Sequence, residues 1–166
     1  RSQVSILYYN NEKDKAISIS TTTNDEIILC MTDKKQNFNQ IIEKINNEKQ
    51  TYTGSKTLEE ADILKIPEIS MESEKEYKDI EDKDFETADG ETLKIEKALQ
   101  NIKFELNKEG AILESEAGMT VQTNAVEITE SRDFSFNDKF VLLLKEKDKE
   151  TPYFALNISD ITDFQK

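Results

Sequence analysis

Carboxylates are the most abundant side chains in this chain that could in principle do acid–base work. Aspartate and glutamate number 35 against 22 lysines and arginines, giving a formal net charge of −13, with no histidine and one cysteine. Paired carboxylates can serve as general acid and base, but no pair stands out by spacing and no aromatic platform for a sugar accompanies one. Without histidine there is no Ser-His or Cys-His nucleophile pair and no histidine-containing zinc site. Cys30 alone provides neither an internal disulfide nor a CxxC motif. The densest acidic run, Glu72 to Gly90, invites comparison with a calcium loop, which needs oxygens at alternating positions and glycine at the sixth. Counting from Asp79, the third position is Glu81, but the fifth is Lys83 and the sixth is Asp84. The run therefore reads as a solvated linker or exposed face. Gly54, Gly90, Gly110 and Gly118 are dispersed, so no loop is built to cradle phosphate. Asn157-Ile158-Ser159 has the N-glycosylation pattern, although Asn157 is expected to face a turn or a hydrogen-bond partner. These residues nominate no catalytic, cofactor-binding or metal site, and the expectation is a protein that is not an enzyme.

The same counts bound the partners. Phosphate recognition rests on clustered basic residues, whereas arginine occurs here only at Arg1 and Arg132, so no nucleic-acid partner is expected. No wholly apolar run is longer than Phe140 to Leu144, far too short for a membrane span. Position 1 is arginine and no signal-like apolar segment follows it, as expected of a processed chain or an excised segment.

The elements that would position any site follow from the apolar pattern. Ile, Leu, Val and Phe supply 42 of 166 residues, enough for one folded domain beneath a heavily charged surface. Gln3 to Tyr9, Ala16 to Ser20 and Glu26 to Thr32 read as three strands joined by turns at 10–14 and 23–25, a meander. Phe38, Ile41, Ile42 and Ile45 then follow helical spacing after Asn37, a suitable N-cap, and are expected in the core. Asp62 to Met71 reads as a strand interrupted at Pro67. From Leu93 to Leu106 two readings compete: a long strand bulged near Gln100-Asn101, or a helical turn through Ile95, Ala98, Leu99 and Ile102. Ala111 to Asp133 has weak periodicity and reads as a long exposed loop, a type that is commonly functional. Phe134 to Lys145 reads as a strongly apolar strand, and Pro152 to Ile158 as its hairpin partner. The expected fold class is α+β, mainly antiparallel strands with a few helices.

Several of these segments resemble the serpin family. Glu91 to Gly110 resembles the segment that leads into the serpin reactive loop and closes in its hinge on glycine. Phe136 to Leu144 followed by Pro152-Tyr153-Phe154-Ala155 resembles the C-terminal serpin hairpin, Asp25 to Met31 with the Phe38 to Glu48 helix resembles the central strand and helix, and Ile63 to Met71 resembles the strand after them. The match covers most of the chain in the family's order and corresponds to the C-terminal half of a serpin. It departs from the family where a short helix gives way to the acidic run, where Lys139-Phe140 stands for the usual Pro-Phe, and where a glycine is missing near Leu156.

The resemblance implies a protease inhibitor, or a C-terminal fragment of one, that acts by presenting residues 110–133 as a bait loop. It further implies a target protease or other protein ligand, a missing N-terminal half as partner, and an extracellular or secreted location. The hinge would comprise Glu109, Gly110, Ala111, Leu113, Ser115 and Ala117. Insertion of a cleaved loop into a sheet buries alternate residues, here Ala111, Leu113, Ser115 and Ala117, leaving Ile112, Glu114, Glu116 and Gly118 outward. Leu113 stands where the inhibitory pattern has a small residue, at an overpacking cost of about 1–3 kcal/mol. The scissile region would lie among Asn124, Glu127, Ile128 and Thr129, with Arg132 the only loop arginine for a trypsin-like protease. The rival expectation is a non-inhibitory binding or surface module using the same loop; an acidic carboxylate enzyme comes behind both.

Overall fold

A computed structural model describes residues 3–106 and 131–164. In chain order its elements are strands β1 (Val4–Asn11), β2 (Asp14–Ser20) and β3 (Asp25–Met31), helix α1 (Phe38–Thr51), and strands β4 (Ile63–Lys65), β5 (Ile69–Glu76), β6 (Asp84–Glu86), β7 (Thr92–Lys94) and β8 (Leu99–Leu106). After the 107–130 segment come β9 (Asp133–Ser135), β10 (Phe140–Glu146), β11 (Phe154–Ile158) and a 3-10 turn (Ile161–Phe164). The described residues are α+β, mostly antiparallel strands with one α-helix.

The expected meander forms, because each turn carries side chains that bond its own backbone. Asn11 Oδ1 accepts from the Lys13 amide at 2.9 Å, and the Thr21 hydroxyl donates to the Asp25 carbonyl at 2.9 Å. The chain then leaves the sheet and returns more than a hundred residues later, when β10 pairs with β3 and β11 completes the order β1-β2-β3-β10-β11. The register aligns Ile6, Ile17, Leu29, Leu142 and Leu156 across five strands, so one face is an unbroken apolar row. The odd-even alternation of the strands sends Tyr8, Ala16, Cys30, Val141 and Leu143 to the other face.

Each face is covered by a different layer. Helix α1 buries Ile41 and Ile45 against the Tyr8–Cys30–Leu143 face. A capping box starts it: Asn37 Oδ1 accepts from the Gln40 amide and Gln40 Oε1 from the Asn37 amide, both at 3.0 Å. Phe38, the first residue of the helix and expected in the core with them, is instead 40% exposed. The opposite face packs on Phe134 and Phe136, both wholly buried, on Ile69 and on Leu106. Here β4 and β9 form a short parallel pair, and β5 pairs antiparallel with β8.

Three segments depart from expectation. The strand broken at Pro67 resumes as β5 and runs on to Glu76, so the first five residues of the acidic run are strand, and further along it Asp84–Glu86 pairs with Thr92–Lys94 as the β6–β7 hairpin. Residues 93–106 contain neither the bulge nor the helical turn: β7 ends at Lys94 and β8 pairs with β5 at eight consecutive positions. The apolar stretch from Phe134 is two strands, β9 and β10, separated where Phe136 plugs the core and the chain bends at Asp138-Lys139.

The helix packing and cap make separable contributions. Asn37→Ala should cost about 1 kcal/mol and Ile45→Ala about 2–5 kcal/mol, while Phe38→Ala should stay within about 0.5 kcal/mol of wild type. Urea titration followed by circular dichroism reads all three.

Candidate functional site: the anchors of the 107–130 segment

The proposed hinge residues Glu109, Gly110, Ala111, Leu113, Ser115 and Ala117 lie outside the described residues, as do Asn124, Glu127, Ile128 and Thr129. What the structure does describe is how the chain enters and leaves that segment. It enters from the end of β8, where Leu106, 5% exposed, pairs with the buried Ile69. It leaves through Ser131, Arg132 and Asp133, the first two tied to the stretch from Tyr52 to Asp62 and the third to β1 and β2.

Arg132 makes the densest set of contacts. Its Nε donates to Asp62 Oδ1 at 3.1 Å and one Nη to Asp62 Oδ2 at 2.5 Å, a bidentate pair. The remaining N–H groups reach the Tyr52 hydroxyl at 3.0 Å, the Ser55 carbonyl at 2.8 Å and the Thr57 carbonyl at 3.1 Å. All five guanidinium donors are thereby satisfied. The cation also lies 5.6 Å from the Phe134 ring centroid. Asp62 in turn accepts from the backbone amides of Glu59 at 2.8 Å and Arg132 at 3.1 Å. Its side chain is only 2% exposed. Burial alone would raise this carboxyl, but the hydrogen bonds from Arg132 and the two amides outweigh it and hold it below the usual aspartate range.

The neighbours of Arg132 are held as well. The Ser131 hydroxyl donates to the Ala61 carbonyl at 2.6 Å. The Asp133 amide donates to the Tyr9 hydroxyl at 3.2 Å, and its carbonyl accepts from Lys15 Nζ at 2.7 Å. Lys15 is 1% exposed on β2, with its ammonium 5.5 Å from the Phe136 ring centroid. Burial lowers its pKa, against the opposing pull of Asp133 and Glu12. Gly54 is required by the same arrangement, since a Cβ there would land on the Tyr52 hydroxyl that receives Arg132.

Arg132 therefore has a use other than as the loop's protease-facing arginine. Its guanidinium is 13% exposed and committed inward, so a protease could take it only after the Asp62 pair was broken. Asp133, expected at the end of the loop, is the first residue of β9. Sequence reading missed Asp62, Tyr52, Gly54, Lys15 and Tyr9 as partners, because they lie about seventy or more residues from the groups they hold. The available signal was that Arg132 is one of two arginines in a chain of net charge −13.

Elsewhere the polar groups are structural. Cys30 is buried with its Sγ 3.4 Å from the Tyr8 hydroxyl, and Tyr8 also donates to Asp14, which Lys44 pairs with from α1. Burial pushes the thiol up to about 11, beyond what the Tyr8 hydrogen bond recovers, so it stays protonated at neutral pH. Asn157, expected to face a turn or partner, is exposed on β11 at the rim of an open cleft lined also by Lys34, Lys35, Lys139 and Ser159. Among the described residues no three acidic or thiol side chains converge as a metal site, and no helix is long and apolar enough to cross a membrane. No model of a known protein family matches the chain, and no curated protein matches it.

Removing one partner of a buried pair strands the other charge. Arg132→Met should therefore cost about 3–5 kcal/mol, and the double variant with Asp62→Leu should cost less than the two single changes added together. Because Asp62 titrates below its unfolded value, its ionised form stabilises the fold above about pH 4, and that contribution is lost as pH falls. The stability gap between wild type and Asp62→Asn should be full at neutral pH and close under acid, as read by denaturant melts across pH.

Proposed function

We propose that this chain is the C-terminal half of a serpin-like protease inhibitor and that residues 110–133 include its bait loop. The observation that carries the reading is the pair of anchors. The 107–130 segment is attached at one end to a strand whose last side chain is buried and at the other to the Arg132–Asp62 clamp. A loop that a protease must grip loses less conformational freedom on binding when both of its ends are already fixed. After cleavage the two new termini would stay with different elements, the upstream one with β8 and the downstream one with β9. Among the described residues β8 pairs with β5 along its full length. The order of elements, a strand and helix, a broken strand, a long strand into the segment and a closing hairpin, is compatible with the reading. The partner is then a protease, and the remainder of the insertion sheet comes from a separate N-terminal half.

A second reading, a non-inhibitory recognition module using the same segment, is favoured by one observation. Leu113-Glu114-Ser115-Glu116 occupies the stretch where an inserting loop has small residues. Incubation with a panel of serine and cysteine proteases separates the two. The inhibitor reading expects a denaturant-resistant complex with at least one protease and a higher thermal midpoint after the segment is nicked. Cleavage that leaves no complex and no stabilisation would reject it in favour of the recognition module.

A further inference from the structure

The arm built by residues 72–99 carries more exposed apolar surface than its own folding needs. Of eight large apolar side chains that stand exposed among the described residues, five lie here: Tyr77, Ile80, Phe85, Leu93 and Leu99. Phe85 and Leu93 face each other directly in the β6–β7 ladder, so both stand on the same face of the hairpin. They are 46% and 44% exposed, and no core cluster includes either. Neighbouring register positions, Asp84 with Lys94 and Glu86 with Thr92, turn polar side chains to the reverse face.

Apolar groups concentrated at the tip of a projecting hairpin mark an interaction surface, and the charge around them selects the partner. Between Glu72 and Glu91 there are ten carboxylates and three lysines. The ion pairs on the arm, Lys94 with Asp82 at 2.9 Å and Lys97 and Lys78 with Glu76 at 3.6 and 3.8 Å, all sit in solvent and neutralise little. A second copy would set like charge against like, and an anionic lipid surface would be repelled for the same reason. The complementary occupant is a protein segment that is both basic and apolar.

We propose that the tip of this arm docks a cationic, apolar-faced polypeptide, with Phe85 and Leu93 as the anchor and the carboxylates of the 72–91 run, Asp84 and Glu86 on the reverse face among them, as the long-range steering field. The proposal is independent of the bait loop, since neither anchor touches the Arg132 clamp.

The probe is a fluorescent heptapeptide of alternating lysine and leucine, compared with one of alternating lysine and serine. The intact protein should bind the first at least about tenfold more tightly. Phe85→Ser/Leu93→Ser should remove that advantage while leaving the thermal midpoint of the protein unchanged. Asp84→Asn/Glu86→Gln should slow association at low salt and leave the preference for leucine intact, which keeps the idea testable if the apolar variant misfolds. Equal affinity for the two peptides, or an unchanged preference in Phe85→Ser/Leu93→Ser, would overturn the proposal. So would concentration-dependent dimerisation, or binding to anionic phospholipid vesicles, that disappears in the same variant.

Discussion

The antiparallel pairing of β10 with β3 is the constraint on which the remaining structure depends. It joins Cys30 to Val141 and Leu29 to Leu142, partners more than a hundred residues apart, and so turns a three-stranded meander into a five-stranded sheet. A contact of that separation costs loop-closure entropy, which grows only slowly with length. Its return is the continuous apolar row through Ile6, Ile17, Leu29, Leu142 and Leu156. Both covering layers need that row complete. Helix α1 rests on residues from β1, β2, β3 and β10 together, and Phe134 and Phe136 fill the opposite face only because β10 begins just after them.

Within that frame the buried charges are consistently paired. Arg132 has its five donors satisfied beside an almost fully buried aspartate, and Lys15 donates to a main-chain carbonyl. Glu26 accepts from Lys145 and from the Ser18 hydroxyl; burial alone would raise its carboxyl, but these bonds hold it below its ordinary value. Such groups are costly to bury, and good geometry offsets the cost. Two of them converge on the three residues through which the chain comes back from the 107–130 segment. The fold thus concentrates these interactions at the point where the chain comes back from the 107–130 segment.

The surplus of negative charge has a different home. Much of it lies on the arm from Glu72 to Glu91, away from the sheet, where water and a few exposed lysines screen it. Placing like charge on a projecting ribbon limits self-repulsion within the core. It also discourages edge-to-edge association of the β5–β8 ladder with another copy.

Local elements were legible in the residues alone. The meander, the Asn37-capped helix, the interruption at Pro67 and the closing hairpin all rest on periodicity, turn chemistry and capping, which act over a few residues. The same local rules mistook Phe38 for core, left residues 93–106 between two readings and ran β9 into β10, because neighbours distant in the chain decide those cases. The sequence by itself determined an α+β chain with an acidic surface and no histidine chemistry. Only the tertiary structure decided that Arg132 serves Asp62 and Tyr52, that Lys15 holds Asp133, and that the acidic run projects as a hairpin with Phe85 and Leu93 outward. The reason is physical: a hydrogen bond or a packed face depends on distance in space, and no spacing along the chain encodes which residues seventy or a hundred positions away will arrive there.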